Sequence, residues 1–370
     1  MTRTAEPASP SAGPPASPSA SAAAATGTAS RASTLALGPV RLRWSRRTAV
    51  VALVLTALAA LLSVCALQTG TLALGFTDVL GALFGVGEPR TQTVVQRIRL
   101  PRTLTALAVG ACLGAAGAAF QSISRNALGS PDIIGFTTGA ATGAVAQIVL
   151  FDGGPVATAG WAVGGGLVAA GAVYLLSLRG GVTGGYRLVL IGIGVGAMLG
   201  ALNTVLLAKG DSDLAAQAHL WLSGSLAART WGHALPVLGA VLVLLPVLLA
   251  CARSLSLMEM GEDAARALGI RTERTRLVAM AAAVGLTAMA TAAAGPIAFV
   301  ALAAPQLAVR LTRAPAVPIG TGALMGAVLM VGSDLLTQHL PLRVAMPIGL
   351  MTGLVGGVYL LWLLTRSRQV

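Results

Sequence analysis

The sequence predicts an all-α membrane protein with about ten transmembrane helices and both termini on the cytoplasmic side. Three observations carry this reading. Hydrophobic residues make up 55% of the 370 and charged residues only 10%, where a soluble domain carries about a quarter charged. Apolar runs of roughly 20 residues, the length a helix needs to cross the hydrocarbon core, recur between Arg, Gly and Pro. The basic residues fall between those runs and favour one side.

Residues 1–40 are rich in Ala, Ser, Pro and Thr without apolar periodicity, and are expected to form a disordered cytoplasmic tail. The transmembrane domain then occupies 41–370. Arg41, Arg43, Arg46 and Arg47 precede the first apolar run. A signal peptide would have a shorter apolar region and a small-residue cleavage site, so this run reads as a first span with its amino end inside. Further spans are expected near 100–121, 133–151, 156–178, 187–208, 233–252, 276–295, 296–311, 317–336 and 346–364, with a split at Gly295-Pro296 between two closely spaced segments.

The charges test this topology. Sixteen arginines fall on the inner side: Arg41, Arg43, Arg46, Arg47, Arg125, Arg179, Arg187, Arg253, Arg266, Arg271, Arg274, Arg276, Arg310, Arg313, Arg366 and Arg368. Seven basic residues, Arg90, Arg97, Arg99, Arg102, Lys209, Arg229 and Arg343, fall on the outer side. Inner loops of membrane proteins collect Lys and Arg in this way.

Composition also excludes function classes. The net charge of +13 is spread between spans rather than gathered in a patch with interleaved aromatics, so lipid and not nucleic acid surrounds the chain. Cys65, Cys112 and Cys251 stand singly, and His219, His233 and His339 are scattered, so no disulfide framework and no metal site is expected. Of the 12 acidic residues only Asp334 falls inside a span, near its outer end. Ion-coupled carriers tend to place carboxylates at the membrane midplane, so the energy for any transport should come from outside the chain. A membrane-embedded enzyme would need paired carboxylates, a nucleophile with its base, or metal ligands at spanning positions. The sequence offers none, so no catalytic residue and no resident cofactor is expected.

One stretch breaks the charge starvation. "MEMGEDAARALGIRTERTR" at 258–276 holds eight charged residues in a chain with 25 basic and 12 acidic ones. Glu262 precedes Arg266 by four residues, a favourable helical pair. Gly269 is a natural helix stop, and Thr272 can cap a second helix from Glu273. Ala264, Ala265 and Ala267 are small enough for another protein's surface to come close. On these residues alone, a solvated loop helix and a partner-binding segment are equally good readings.

The stretch resembles the coupling segment, here 255–275, of ABC importer permeases of the iron-siderophore and cobalamin branch. Two further runs, "RLPRTLTALAVGACLGAAGAAFQSISRNALGSPDIIGF" at 99–136 and "GPIAFVALAAPQLAVRL" at 295–311, match the same family in order and spacing. The similarity covers residue 45 or so to the C-terminus. "RNALGSPDIIGF" and "RLVLIGIGVGAMLGALNTVLL" at 187–207 make it most specific to ferric enterobactin permeases. Ala127 departs from the family's usual proline and Gln306 from its usual histidine.

The resemblance implies a multi-pass permease of the bacterial cytoplasmic membrane that moves a ferric siderophore, of the catecholate type, by alternating access; cobalamin or haem is the alternative cargo. It implies an ABC ATPase subunit dimer that holds the ATP and Mg, a second permease subunit that is a related chain or a copy of this one, and an extracytoplasmic siderophore-binding protein. Glu262, Asp263, Ala264, Ala265 and Gly269 would meet the ATPase. Arg99 and Arg102, and by extension Arg343, would dock the acidic rim of the binding protein; the other reading of the arginines at the end of span two is snorkelling to lipid headgroups. Gly192, Gly196 and Gly200, with Asn203, serve either tight helix packing or the lining of the passage. Gly180, Gly181, Gly184 and Gly185 give the preceding loop the backbone freedom of a cytoplasmic gate.

Overall fold

A computed structural model describes residues 33–37, 40–70, 72–179, 182–183, 185–314, 317–339 and 346–366. Two short hairpins, β1 (Ser33–Leu37) with β2 (Val40–Trp44) and β3 (Leu178–Arg179) with β4 (Val182–Thr183), are antiparallel. All other elements are helical. In chain order they are α1 (Arg46–Gln68), α2 (Phe76–Leu83), α3 (Pro89–Thr93), a π-helical turn Val94–Arg99 that runs into α4 (Leu100–Ser124), a 3-10 turn Pro131–Ile134, α5 (Phe136–Phe151), α6 (Pro155–Ser177) and α7 (Gly185–Lys209). There follow α8 (Ser212–Leu222), α9 (Trp231–Glu259), α10 (Glu262–Ala267), α11 (Thr272–Ala294), α12 (Val300–Thr312), α13 (Ile319–His339) and α14 (Ile348–Arg366).

Among the described residues seven helices are long and apolar enough to cross a membrane, and α5, α12 and α14 contribute shorter apolar segments. Each span read from the sequence coincides with one of these ten. The first begins at Arg46, capped by the Ser45 hydroxyl, which accepts from the Thr48 amide at 3.1 Å. The hairpin β1–β2 crosses position 40, where the sequence set the end of the tail. Its alternation of Leu42 with Arg41 and Arg43 is a strand pattern that the low-complexity composition upstream obscured. Residues 1–32 lie outside the described residues.

The split at Gly295-Pro296 is real. Helix α11 ends at Ala294, Gly295 takes φ +76°, and Phe299 precedes α12 at φ +67°. Thirteen residues of α12 span about 20 Å, less than the hydrocarbon thickness. In the non-helical stretch before it Gly295 and Ile297 are buried while Ala298 is exposed, and the Ser225 amide donates to the Ala294 carbonyl at the end of α11 at 2.8 Å.

The centre of the bundle is α4, of whose spanning window 83% is buried, against 11% for α7. Small residues explain how other helices reach it. A Cβ on Gly110, Gly114 or Gly117 would collide with the backbone carbonyl of Gly326, Gly322 or Ala301, so α13 and α12 lie directly on α4. Gly139 and Gly143 bring α5 equally close to Gly165 and Trp161 of α6.

Candidate functional site

Long-range contacts sort the helix ends as an alternating bundle requires. At one end Arg47 Nε donates to the Leu311 carbonyl at 2.7 Å, the Val317 amide to Ser256 Oγ at 3.0 Å, and Tyr174 Oη to Glu273 Oε1 at 3.4 Å. At the other, Trp231 Nε1 donates to the Gln96 carbonyl at 3.0 Å and Arg102 meets Asp334.

The first end carries α10, which forms for local reasons. Glu262 and Asp263 sit in its first turn and Arg266 in its last, both favourable to the helix dipole. The Arg266 guanidinium reaches back to Glu262 at 3.0 Å and to Asp263 at 3.1 Å. Gly269, at φ +81°, ends the helix: its amide donates to the Arg266 carbonyl at 2.9 Å and the Ile270 amide to that of Ala265 at 3.0 Å, the paired bonds of a Schellman stop. Thr272 opens α11 from inside its first turn instead of capping it, and its hydroxyl accepts from Arg266 Nε at 3.4 Å.

The expected contact residues divide between two faces. Asp263 has a fully exposed side chain, and Met260, Ala264, Ala267, Leu268 and Gly269 are also exposed. Ala265, at 0% exposure, packs into the bundle, away from this exposed face. Glu262 also turns inward. Its carboxylate binds Arg276 at 2.5 Å and Arg125 at 3.5 Å besides Arg266. Arg276, in α11, is buried and binds Glu273 at 2.7 Å as well. The spacing Glu273–Arg276 was visible in the sequence, but nothing there placed Arg125, 137 residues before Glu262, in the same cluster.

At the opposite end Arg99, expected at the docking surface, serves the bundle. It is buried, and its guanidinium donates to the carbonyls of Leu67 at 2.8 Å, Gln68 at 3.0 Å and Leu72 at 2.5 Å, tying the end of α1 to the start of α4. Arg102 is bidentate on Asp334, Nε–Oδ2 3.1 Å and Nη2–Oδ1 2.7 Å, and Gln338 Nε2 donates to the same Oδ2 at 2.9 Å. This buried acid of α13 is therefore neutralised by an arginine of the neighbouring helix, as an acid within a span requires. Arg97 is the exposed member of the trio. Arg343 lies outside the described residues.

Helix α7 splits its glycines. Gly192 and Gly196 face Gly135 and Thr138, whereas nothing lies within 4 Å of a Cβ on Gly200. Asn203 is half-buried, and its Oδ1 finds no donor among the described residues. Gly180, Gly181 and Gly184 lie outside the described residues; Gly185 opens α7.

The two departures from the family pattern touch each other. Gln306 Nε2 donates to the Ala127 carbonyl at 3.2 Å and to Gln121 Oε1 at 2.7 Å, while Gln121 Nε2 donates to the Leu302 carbonyl at 3.0 Å. An amide thus clasps α12 to the end of α4.

Residues 54–366 match the FecCD transport family. The chain is 43% identical over 326 residues to the ferric enterobactin transport system permease protein of Escherichia coli, covering 88% of this chain and 98% of that one. It is 36% identical over 289 residues to the cobalamin import system permease protein of Halobacterium salinarum, covering 78% and 77%. A metal-chelate type ABC transporter solved in an inward-facing conformation superposes with a TM-score of 0.76 at 29% identity, over 86% of this chain and 99% of that one.

Proposed function

This chain belongs to the FecCD transport family, and from that premise we propose that it is the permease subunit of an ATP-driven importer carrying a ferric siderophore of the catecholate class across the bacterial cytoplasmic membrane. The observation that carries the cargo is the near full-length likeness to a ferric enterobactin permease, which includes the glycine-rich helix α7. Cobalamin is the second reading, supported by the relative that imports it; haem has no such support.

The end bearing α10 faces the cytoplasm, in keeping with the arginines collected there. An ATPase dimer, which holds the ATP and magnesium, sits against Met260, Asp263, Ala264, Ala267 and Leu268. A second permease subunit covers the open side of α7, where nothing lies within 4 Å of a Cβ on Gly200 and the passage runs. The loop with Gly180, Gly181, Gly184 and Gly185 closes that passage on the inside. Outside, Arg97 and Arg343 dock the binding protein beside the half-buried Arg102, while the buried Arg99 ties α1 to α4; such docking weakens with salt. Energy enters as movement of α10, so the chain needs no catalytic group of its own.

The test is uptake by iron-starved cells with and without the gene, offered a radiolabelled ferric catecholate, a ferric hydroxamate and, separately, labelled cobalamin. Selective loss of catecholate uptake is the expected result. Loss of cobalamin uptake alone would move the chain to the second reading, and unchanged uptake of all three would refute both.

A further inference from the structure

The two neighbouring acids at the start of α10 face opposite ways: the Asp263 side chain is fully exposed, while that of Glu262 is 23% exposed and ringed by Arg125, Arg266 and Arg276. Arg276 is 4% exposed, so its pairs with Glu262 and Glu273 form where water screens them least. The cluster joins three elements. Arg125 is the residue that ends α4, Glu262 begins α10, and Arg276 lies in the first turns of α11, with Tyr174 of α6 attached through Glu273.

Either side of α10 the chain turns at a glycine. Gly261 and Gly269 have φ +126° and +81°, and nothing lies within 4 Å of a Cβ on either. They are joints, not points of close approach. A six-residue rod between two such joints would swing when pushed and leave the spans unmoved, unless side chains fix it to the bundle. Three do so: Ala265 by packing, Arg266 by a 3.4 Å hydrogen bond to Thr272 of α11, and Glu262 by charge, the one that reaches both α4 and α11.

We infer that Glu262, Arg276 and Arg125 form an internal latch that carries displacement of α10 directly to α4 and α11, past the glycine joints. Glu262 is thus a positioning residue inside the permease and not a contact of the ATPase. The inference rests on the reading of 255–275 as the ATPase-coupling segment. Two further features fit it. The latch grips α4, the most buried span, so a small displacement reaches α12 and α13 through their glycine contacts. The partner-facing residues, Asp263 and Leu268, make no pair with α4 or α11 that could do the same work.

The test uses the complete transporter in proteoliposomes and compares wild type with the double variant Glu262→Gln/Arg276→Met, which removes the buried cation together with the carboxylate it binds at 2.5 Å and leaves Glu273, 33% exposed, to water. Three quantities are read: ATPase subunit retained on purification, ATP hydrolysed, and siderophore moved per ATP. The latch predicts an assembled, hydrolysing complex whose transport per ATP falls about tenfold, within the range of a coupling free energy between two sites. Wild-type transport per ATP in the double variant would overturn it. Loss of the ATPase subunit would also overturn it, by placing Glu262 at the partner contact. Should the double variant fail to accumulate, Arg125→Gln removes only the half-exposed arm and predicts a smaller fall in the same ratio; an unchanged ratio there would count against the latch. A wild-type chain that retains no ATPase would overturn the coupling reading itself, a result distinct from the other outcomes.

Discussion

Replacing Arg102 with alanine should loosen the bundle at its outer end. Asp334 is 3% exposed on its side chain, and Arg102 supplies two of its three hydrogen bonds, at 2.7 and 3.1 Å. Without the arginine the carboxylate keeps only the Gln338 amide, in surroundings that cannot solvate a charge. Losing one partner of a buried pair costs about 3–5 kcal/mol. Arg102 is 29% exposed and Gln338 remains, so the expected loss is at the lower end, about 3 kcal/mol. Asp334→Asn keeps the shape and leaves a cation that can still reach water, and should cost about 1–2 kcal/mol. The double variant should fall short of the sum, because the second change removes the charge that the first left stranded. The assay is unfolding of the detergent-solubilised protein, by heat and by denaturing detergent, for all four members of the cycle. Additive losses, or an Arg102→Ala protein as stable as wild type, would refute the reasoning. Unchanged stability with weakened binding-protein affinity would return Arg102 to the docking surface.

Other substitutions follow from the same geometry. Gly114→Leu should prevent accumulation of folded protein, since its Cβ meets the Gly322 carbonyl and backbone cannot turn aside, at a cost of about 3 kcal/mol or more. Gly200→Leu, with open space around it, should leave the isolated chain as stable as wild type, as read by detergent-resistant folding. Leu268→Glu and Ala264→Trp should abolish co-purification of the ATPase without lowering the amount of permease in the membrane. Gln306→Ala should cost about 1 kcal/mol in the same unfolding assay, the worth of its hydrogen bonds to Gln121 and Ala127.

Much of this architecture was legible because a bilayer enforces it. A span needs a long apolar run, so the positions of the apolar helices and even the break at Gly295-Pro296 could be read directly. Helix punctuation was equally plain: Gly269 ends α10 because only glycine is at ease at φ +81°. Which face of a short charged helix points inward could not be read, because α10 is too short to show a period. Ala264 and Ala265 are alike in sequence, yet one is exposed and the other buried. The surroundings of the arginines in "RLPRT" could not be read for a related reason. A cation at a span's end can serve lipid, a partner or the bundle, and only the positions of the Leu67, Gln68 and Leu72 carbonyls and of Asp334 decide among them. The Asp334 partnership could have been suspected, since an acid inside a span requires a cation, and Arg102 was a candidate near the same membrane face.

The central claim is that ATP hydrolysed on another subunit drives ferric siderophore through this chain. It is tested most directly in proteoliposomes holding the permease with its ATPase, loaded with ATP and supplied outside with binding protein and a radiolabelled ferric catecholate. The account predicts accumulation of iron inside that requires internal ATP and stops when the ATPase is inhibited, with no response to an imposed proton or sodium gradient. Accumulation driven by such a gradient in the absence of ATP would contradict it.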